Sequence, residues 1–144
     1  MGRKPKGFTL VEIVLALTLA GLFMYGAAYS FQRLVPKFQL QSGIWEVTSG
    51  LNQARFRAIM SGEPVRVRFV PSGFVFERYD EAAKIWRAAR TASLPGVAVL
   101  ANNSPVFHPQ GTVSDLASIT VSNALGIYRI TIAITGRVRT TRVS

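Results

Sequence analysis

The chain has no cysteine, which rules out disulfides, thiolate nucleophiles and cysteine-ligated metals. That composition suits an exported protein without demonstrating one. Histidine occurs once, at His108, so a zinc site would have to combine one imidazole with scattered carboxylates. Acidic residues are scarce, 7 against 17 lysines and arginines, giving a net charge of +10. They stop at Asp115, while Arg129, Arg137, Arg139 and Arg142 follow. Glycine-rich phosphate loops, nucleotide fingerprints, internal repeats and low-complexity tracts are missing too. Ser104, His108 and Asp115 supply the residue types of a hydrolytic triad. His108, however, stands in Phe107-His108-Pro109, a turn-like setting with no nucleophile elbow beside it. No catalytic residue, metal or cofactor is therefore expected, and an enzyme is not. The basic balance points to an anionic partner: nucleic acid, lipid headgroups or an acidic protein.

What the chain does have is a long apolar run. From Phe8 to Phe31, twenty-four residues carry one charge, Glu12. As a helix the run would be about 36 Å long, enough to cross a hydrocarbon core of roughly 30 Å. The leader before it carries Arg3, Lys4 and Lys6, cations that keep an N-terminus cytoplasmic while the rest is exported. Glu12 does not suit an ordinary anchor, since an ionised carboxylate in an apolar helix costs about 2.5–3.5 kcal/mol unless it snorkels or is paired. Thr9-Leu10-Val11-Glu12 has the spacing of a capping box, which would turn Glu12 back onto free N–H groups. A secretory signal cut near Gly26-Ala27-Ala28 is another reading, opposed by the length of the run and the carboxylate within it.

The stretch Gly7-Phe8-Thr9-Leu10-Val11-Glu12 after a basic leader resembles the class III signal of type IV pilins and type II secretion pseudopilins. The resemblance implies that a prepilin peptidase cuts between Gly7 and Phe8, on the cytoplasmic side, and methylates the Phe8 amine. Glu12 then becomes the fifth mature residue, the position this family reserves for glutamate. Its implied role is assembly: the carboxylate neutralises the Phe8 amine of an adjacent subunit, so both charges are paired only in the filament.

Beyond Phe31 the helical period continues. Leu40, Ile44, Val47, Leu51, Ala54 and Ala58 form a stripe at spacings of four and three, with Gln41, Glu46, Gln53, Arg55 and Arg57 elsewhere. Pro36 is expected to kink the helix, Gly43 and Gly50 to weaken it by about 1 kcal/mol each, and Ser61-Gly62-Glu63-Pro64 to end it. From Pro64 the period drops to two. Val65 to Val70 and Phe74 to Tyr79 read as a hairpin about Pro71-Ser72-Gly73, Lys84 to Ala88 as a short strand around Trp86, and Val97 to Ala101 as an apolar strand. Ile119 to Ser122 is followed by a turn at Asn123–Gly126. In Ile127 to Thr135, Tyr128, Ile130, Ile132 and Ile134 share one face and Arg129, Thr131 and Ala133 the other. Gly136 marks a bulge or turn, and Arg137 to Val143 a further strand or an extended tail.

Within the pilin superfamily, the FimT/GspH branch is resembled most: by Leu51-Asn52-Gln53-Ala54-Arg55 with Ala58-Ile59, by Phe107-His108-Pro109-Gln110-Gly111, and by Ile130 to Ile134 running into Gly136-Arg137. Some FimT-type pilins linked to competence carry a C-terminal Gly-Arg-x-Arg motif implicated in binding DNA, and Gly136, Arg137 and Arg139 match it, with Arg142 beyond. Guanidinium forks suit phosphate oxygens. A charged edge strand that blocks edge-to-edge pairing would look the same, and GspH-like pseudopilins also end in a glycine-arginine strand. Arg66, Arg68, Arg87 and Arg90 either widen the basic patch or form the wet face of the sheet. Trp86, Phe74 and Phe76 read as core, which leaves no platform for stacking bases.

The fold class expected is α+β: a long N-terminal helix packed on an antiparallel β-sheet domain. Residues 1–7 form the leader, 8–35 the membrane and filament-core half of the helix, 36–62 its amphipathic half, and 63–144 the extracytoplasmic β domain with a basic tail. The expected function is that of a minor pilin of a type IV pilus that binds DNA without sequence preference during uptake. The alternative is a GspH-like minor pseudopilin of a type II secretion system with no nucleic-acid role. Expected partners are other pilins or pseudopilins, the prepilin peptidase and the inner membrane, which the chain spans once with its C-terminal domain periplasmic or extracellular.

Overall fold

The computed structural model describes Gly7 and residues 9–143, the side chains of 28–30, 32 and 33 excepted. The leader and Phe8, with the cleavage and methylation sites expected there, lie outside the described residues. Among the described residues, helix α1 (Leu10–Ser61) runs through Pro36 and is followed by nine strands: β1 (Val65–Val70), β2 (Gly73–Asp80), β3 (Ile85–Ser93), β4 (Ala98–Ala101), β5 (Val106–Phe107), β6 (Val113–Ser114), β7 (Ser118–Asn123), β8 (Gly126–Ile132) and β9 (Val138–Arg142). The chain divides into two compact units between Val35 and Pro36.

In the first unit, Leu10–Ala27 has a mean hydropathy of 2.0, long and apolar enough to cross a membrane. Its side chains are exposed along the whole window, as those of a helix meant for a non-aqueous or protein environment would be. Thr9 caps the start: its hydroxyl accepts the Glu12 N–H at 3.2 Å, one half of a capping box.

The second unit holds the core. Leu40, Val47, Leu51, Ala54 and Ala58 are buried and Ile44 packs beside them, the stripe expected from the sequence. Gly43 and Gly50 let the sheets approach the helix: a Cβ on Gly50 would stand 2.5 Å from Cζ of Phe74, and one on Gly43 3.0 Å from Cγ2 of Val97. What they forfeit in helix propensity they return as close packing.

The β domain is two antiparallel sheets rather than one, in the orders β3-β2-β1-β5-β6 and β4-β7-β8-β9. Val65 and Val67 alternate inward with Arg66 and Arg68 outward, and β1 pairs with β2 from Val65↔Arg78 to Val70↔Gly73 across the Pro71-Ser72 turn. Strand β3 continues to Ser93, well past Ala88. It pairs with β2 through a bulge at Phe76/Glu77, which passes over Ala89. In the second sheet Ile119↔Ile130 and Ile132↔Val138 place Ile119, Ile130 and Ile132 in the core. Ile134 departs from that alternation: it lies in the loop after β8 and is 63% exposed, because the strand ends at Ile132.

Trp86 is not core. It is half-buried on the outer face of the first sheet, against Tyr79 at 5.3 Å between ring centroids, with the Arg66 guanidinium 4.5 Å from its own centroid. The bulge at Phe76/Glu77 resets the register, so that Trp86 pairs with outward Tyr79 rather than facing the helix. Phe74 and Phe76 are buried as expected.

Candidate functional site

The basic tail is a β-hairpin. Ala133 N–H donates to Arg137 O at 2.9 Å and Gly136 N–H to Ala133 O at 2.8 Å. This is a three-residue loop whose third residue takes the left-handed conformation, and Gly136 does so with φ 78°. The loop is tied down from two sides. Val113 N–H donates to Ile134 O at 2.9 Å, and the side chain of Arg55, on α1, lies beneath Gly136.

Arg137 and Arg139 come together as expected, lining one open groove of about 590 Å³ with Thr131, Ile132, Ala133 and Val138. Arg142 does not join them. It pairs with Tyr128, whose ring packs on the core, and it lines a separate pocket with Lys37, Leu40, Gln41, Ile44, Leu125 and Tyr128. The period of two explains the split: position 142 has the parity of Val138, which faces inward, and position 139 the opposite. Strand β9 is also the edge of its sheet, so its arginines discourage edge-to-edge pairing whatever else they do.

Most arginines of the first sheet are already occupied. Arg66 and Arg68 both hold Glu77, at 2.6 and 2.7 Å. Burial pushes the Glu77 carboxyl up, but the hydrogen bonds and charges of Arg68 and Arg66 outweigh it and hold the group below its ordinary value. Arg87 holds Asp80 at 2.6 Å, and Arg78 pairs with Glu63. Asp80 is likewise held low, chiefly by the Ala83 N–H, with Arg87 and the Ala82 N–H adding to it. The Arg87–Asp80 pair cancels its charge locally, whereas Arg66 and Arg68 share the one Glu77 carboxylate and keep a net positive charge, and Arg90 reaches only Gln53 Oε1 at 3.4 Å; all four belong to the first sheet, not to the sheet that carries the tail. Among the described residues, Arg129, Arg137, Arg139 and Arg142 form no ion pair.

Two residues were not picked out from the sequence as part of this region. Arg55 read as one of the polar positions of the helix, yet it packs under the hairpin loop, and its Nε is buried without a hydrogen-bond partner. Arg129 was legible as an outward residue, but its nearness to Arg139 needs the β8–β9 register. Ser104 does not meet His108. The imidazole Nε2 instead lies 2.9 Å from Ser114 Oγ, a contact between the residue that follows β5 and the end of β6. Among the described residues no cluster of three potential metal ligands exists.

Residues 2–28 match the prokaryotic N-terminal methylation motif. No curated protein matches the sequence. Among solved structures, the chain is similar to the minor pseudopilin EpsH from the type 2 secretion system of Vibrio cholerae, with 18% identity and a TM-score of 0.57 over 74% of this chain and 95% of that one. It is also similar to the type IV minor pilin FimU of Pseudomonas aeruginosa PAO1, with 15% identity and a TM-score of 0.60 over 73% of this chain and 90% of that one. At such identities the likeness is one of fold. The apolar N-terminal helix fits a single-pass anchor bearing a C-terminal globular unit. The chain thus carries a prokaryotic N-terminal methylation motif and, beyond it, a fold similar to that of minor pilins and minor pseudopilins.

Proposed function

We propose that this protein is a minor pilin of a type IV pilus, held in the inner membrane by α1 until it joins the filament, and that it contacts DNA through the hairpin bearing Gly136, Arg137 and Arg139. A single observation carries the reading: Arg137 and Arg139 line one open groove, and neither has an acidic partner among the described residues. Unpaired guanidinium groups in solvent are what a phosphate backbone would neutralise. Gly136 serves the loop, and Arg142 stays on the other side of the strand. The prepilin peptidase would cut between Gly7 and Phe8 and methylate Phe8, which mass spectrometry of the mature protein checks: an N-terminus at Met1 or near Tyr29 would refute it.

Among the described residues, all of the buried core lies within 36–144, so this part suits a soluble binding assay. Affinity for duplex DNA should fall steeply with salt. Replacing both Arg137 and Arg139 with glutamine should reduce the log–log slope by about two, at roughly 0.9 per phosphate contact. Absence of binding by the wild type at low salt would favour the second reading, a minor pseudopilin of a type II secretion system without a nucleic-acid role. The fold likeness to EpsH supports that reading as well as the likeness to FimU supports the first. Neighbouring secretion genes would point the same way, and pilus or competence genes the opposite way.

A further inference from the structure

The register of the second sheet lays out a face that the core does not use. Thr120 pairs with Arg129 and Arg129 with Thr141, forming one row across β7, β8 and β9. Ser118 pairs with Thr131 and Thr131 with Arg139, forming the next. All six side chains have the parity opposite to Ile119, Val121, Ile130 and Ile132, which are buried. They are exposed or half-exposed, and Arg129 and Arg139 are both exposed.

The chemistry of this face is uniform: two guanidinium groups and four hydroxyls. No carboxylate belongs to either row, and the nearest acid along the chain is Asp115, in the loop before β7. Arg129 and Arg139 are diagonal neighbours, a relation that separates residues by about 7–8 Å, comparable to one sugar–phosphate repeat. The hydroxyls between them can donate to phosphate oxygens without adding charge. There is no aromatic ring in these rows, since Tyr128 has the inward parity, so bases have nothing to stack on.

We propose that this face is a track for a phosphodiester backbone, with Arg129 as a contact that continues the line from Arg137 and Arg139. The proposal rests on the nucleic-acid reading above and adds to it a residue, a direction across the sheet and indifference to base sequence.

The test is salt-dependent binding of a random-sequence duplex to the full chain in neutral detergent, comparing Arg129→Gln with Arg142→Gln. Both variants remove one positive charge from the same sheet, but from opposite faces. Arg129→Gln is expected to lower the log–log slope by about 0.9, Arg142→Gln to leave it, and Arg129→Lys to restore it. A slope unchanged in Arg129→Gln but reduced in the Arg137/Arg139 double variant would overturn this inference and leave the proposed function standing. No binding by the wild type would remove both. Salt-sensitive binding to anionic vesicles with none to DNA would assign the face to lipid headgroups and overturn the track.

Discussion

The side chain of Arg55 lies against Gly136, although the two are far apart in the chain: a Cβ on Gly136 would stand 2.7 Å from Nε of Arg55 and 2.9 Å from its Cδ. The contact fastens the C-terminal hairpin to the helix. It also gives the glycine of Gly136-Arg137-x-Arg139 a reason that needs no ligand. The residue must adopt φ 78° and must leave room for an arginine stem.

Gly136→Ala should therefore destabilise residues 36–144 by about 1–3 kcal/mol, from backbone strain and crowding together. Arg55→Ala in the same chain removes the crowding but not the strain, so a double-mutant cycle should show the two changes to be non-additive. Additive losses in denaturant melts would mean that the contact carries no weight.

Gly50→Ala sets two effects against each other. Alanine gains about 1 kcal/mol of helix propensity, but its Cβ meets the Phe74 ring, which is fully enclosed and has nowhere to turn. Overpacking of that kind costs about 1–3 kcal/mol, so the substitution should lower the melting temperature. A higher one would show that the sheet yields.

Glu77 gives a pH signature. Its carboxyl is held low in the folded protein, so its stabilisation is complete above the ordinary carboxylate value of 4.5 and is lost as pH falls through the lower folded value. Asp80 contributes in the same direction. Stability should thus decline on acidification below about 4.5, and Glu77→Gln should flatten that decline without abolishing it. At neutral pH the substitution should cost about 1–2 kcal/mol, less than for a fully buried pair because Arg68 stays open to solvent. An acid profile identical to wild type would exclude the Arg66–Glu77 and Arg68–Glu77 pairs as its source.

The helix stripe and the β8 alternation were legible because each records burial on one face of a single element, and the period alone reveals it. Leu40 to Ala58 and Ile130 to Ile132 needed no partner to be placed. Trp86 reads as core from the sequence because the bulge that passes over Ala89, on the same strand, decides which face it takes. Arg142 was grouped with Arg139 because a run of basic residues looks continuous until the strand's parity separates them. Arg55 is invisible as part of the hairpin, because its role is a contact with Gly136, far along the chain, which periodicity does not encode. The signal at Gly7 to Glu12 is local, so the methylation motif that spans residues 2–28 is legible without any tertiary contact.

Thr9 and Glu12 allow the cap and the carboxylate to be separated. The Thr9 hydroxyl accepts the backbone N–H of Glu12, a bond that any residue at position 12 could supply. Among the described residues, the Glu12 carboxylate takes no hydrogen bond in return, so the cap does not account for an acid there. Thr9→Val should weaken the start of the helix by about 1 kcal/mol, an effect read by amide exchange in detergent. Glu12→Ala should keep the cap and insert normally, since it removes an ionised group that costs about 2.5–3.5 kcal/mol in an apolar setting. What it should lose is incorporation: less protein in sheared filaments, with the membrane pool unchanged. Equal incorporation of Glu12→Ala and wild type would deny the carboxylate any part in assembly, because no neighbour would then be using the charge that the membrane helix goes to such cost to carry.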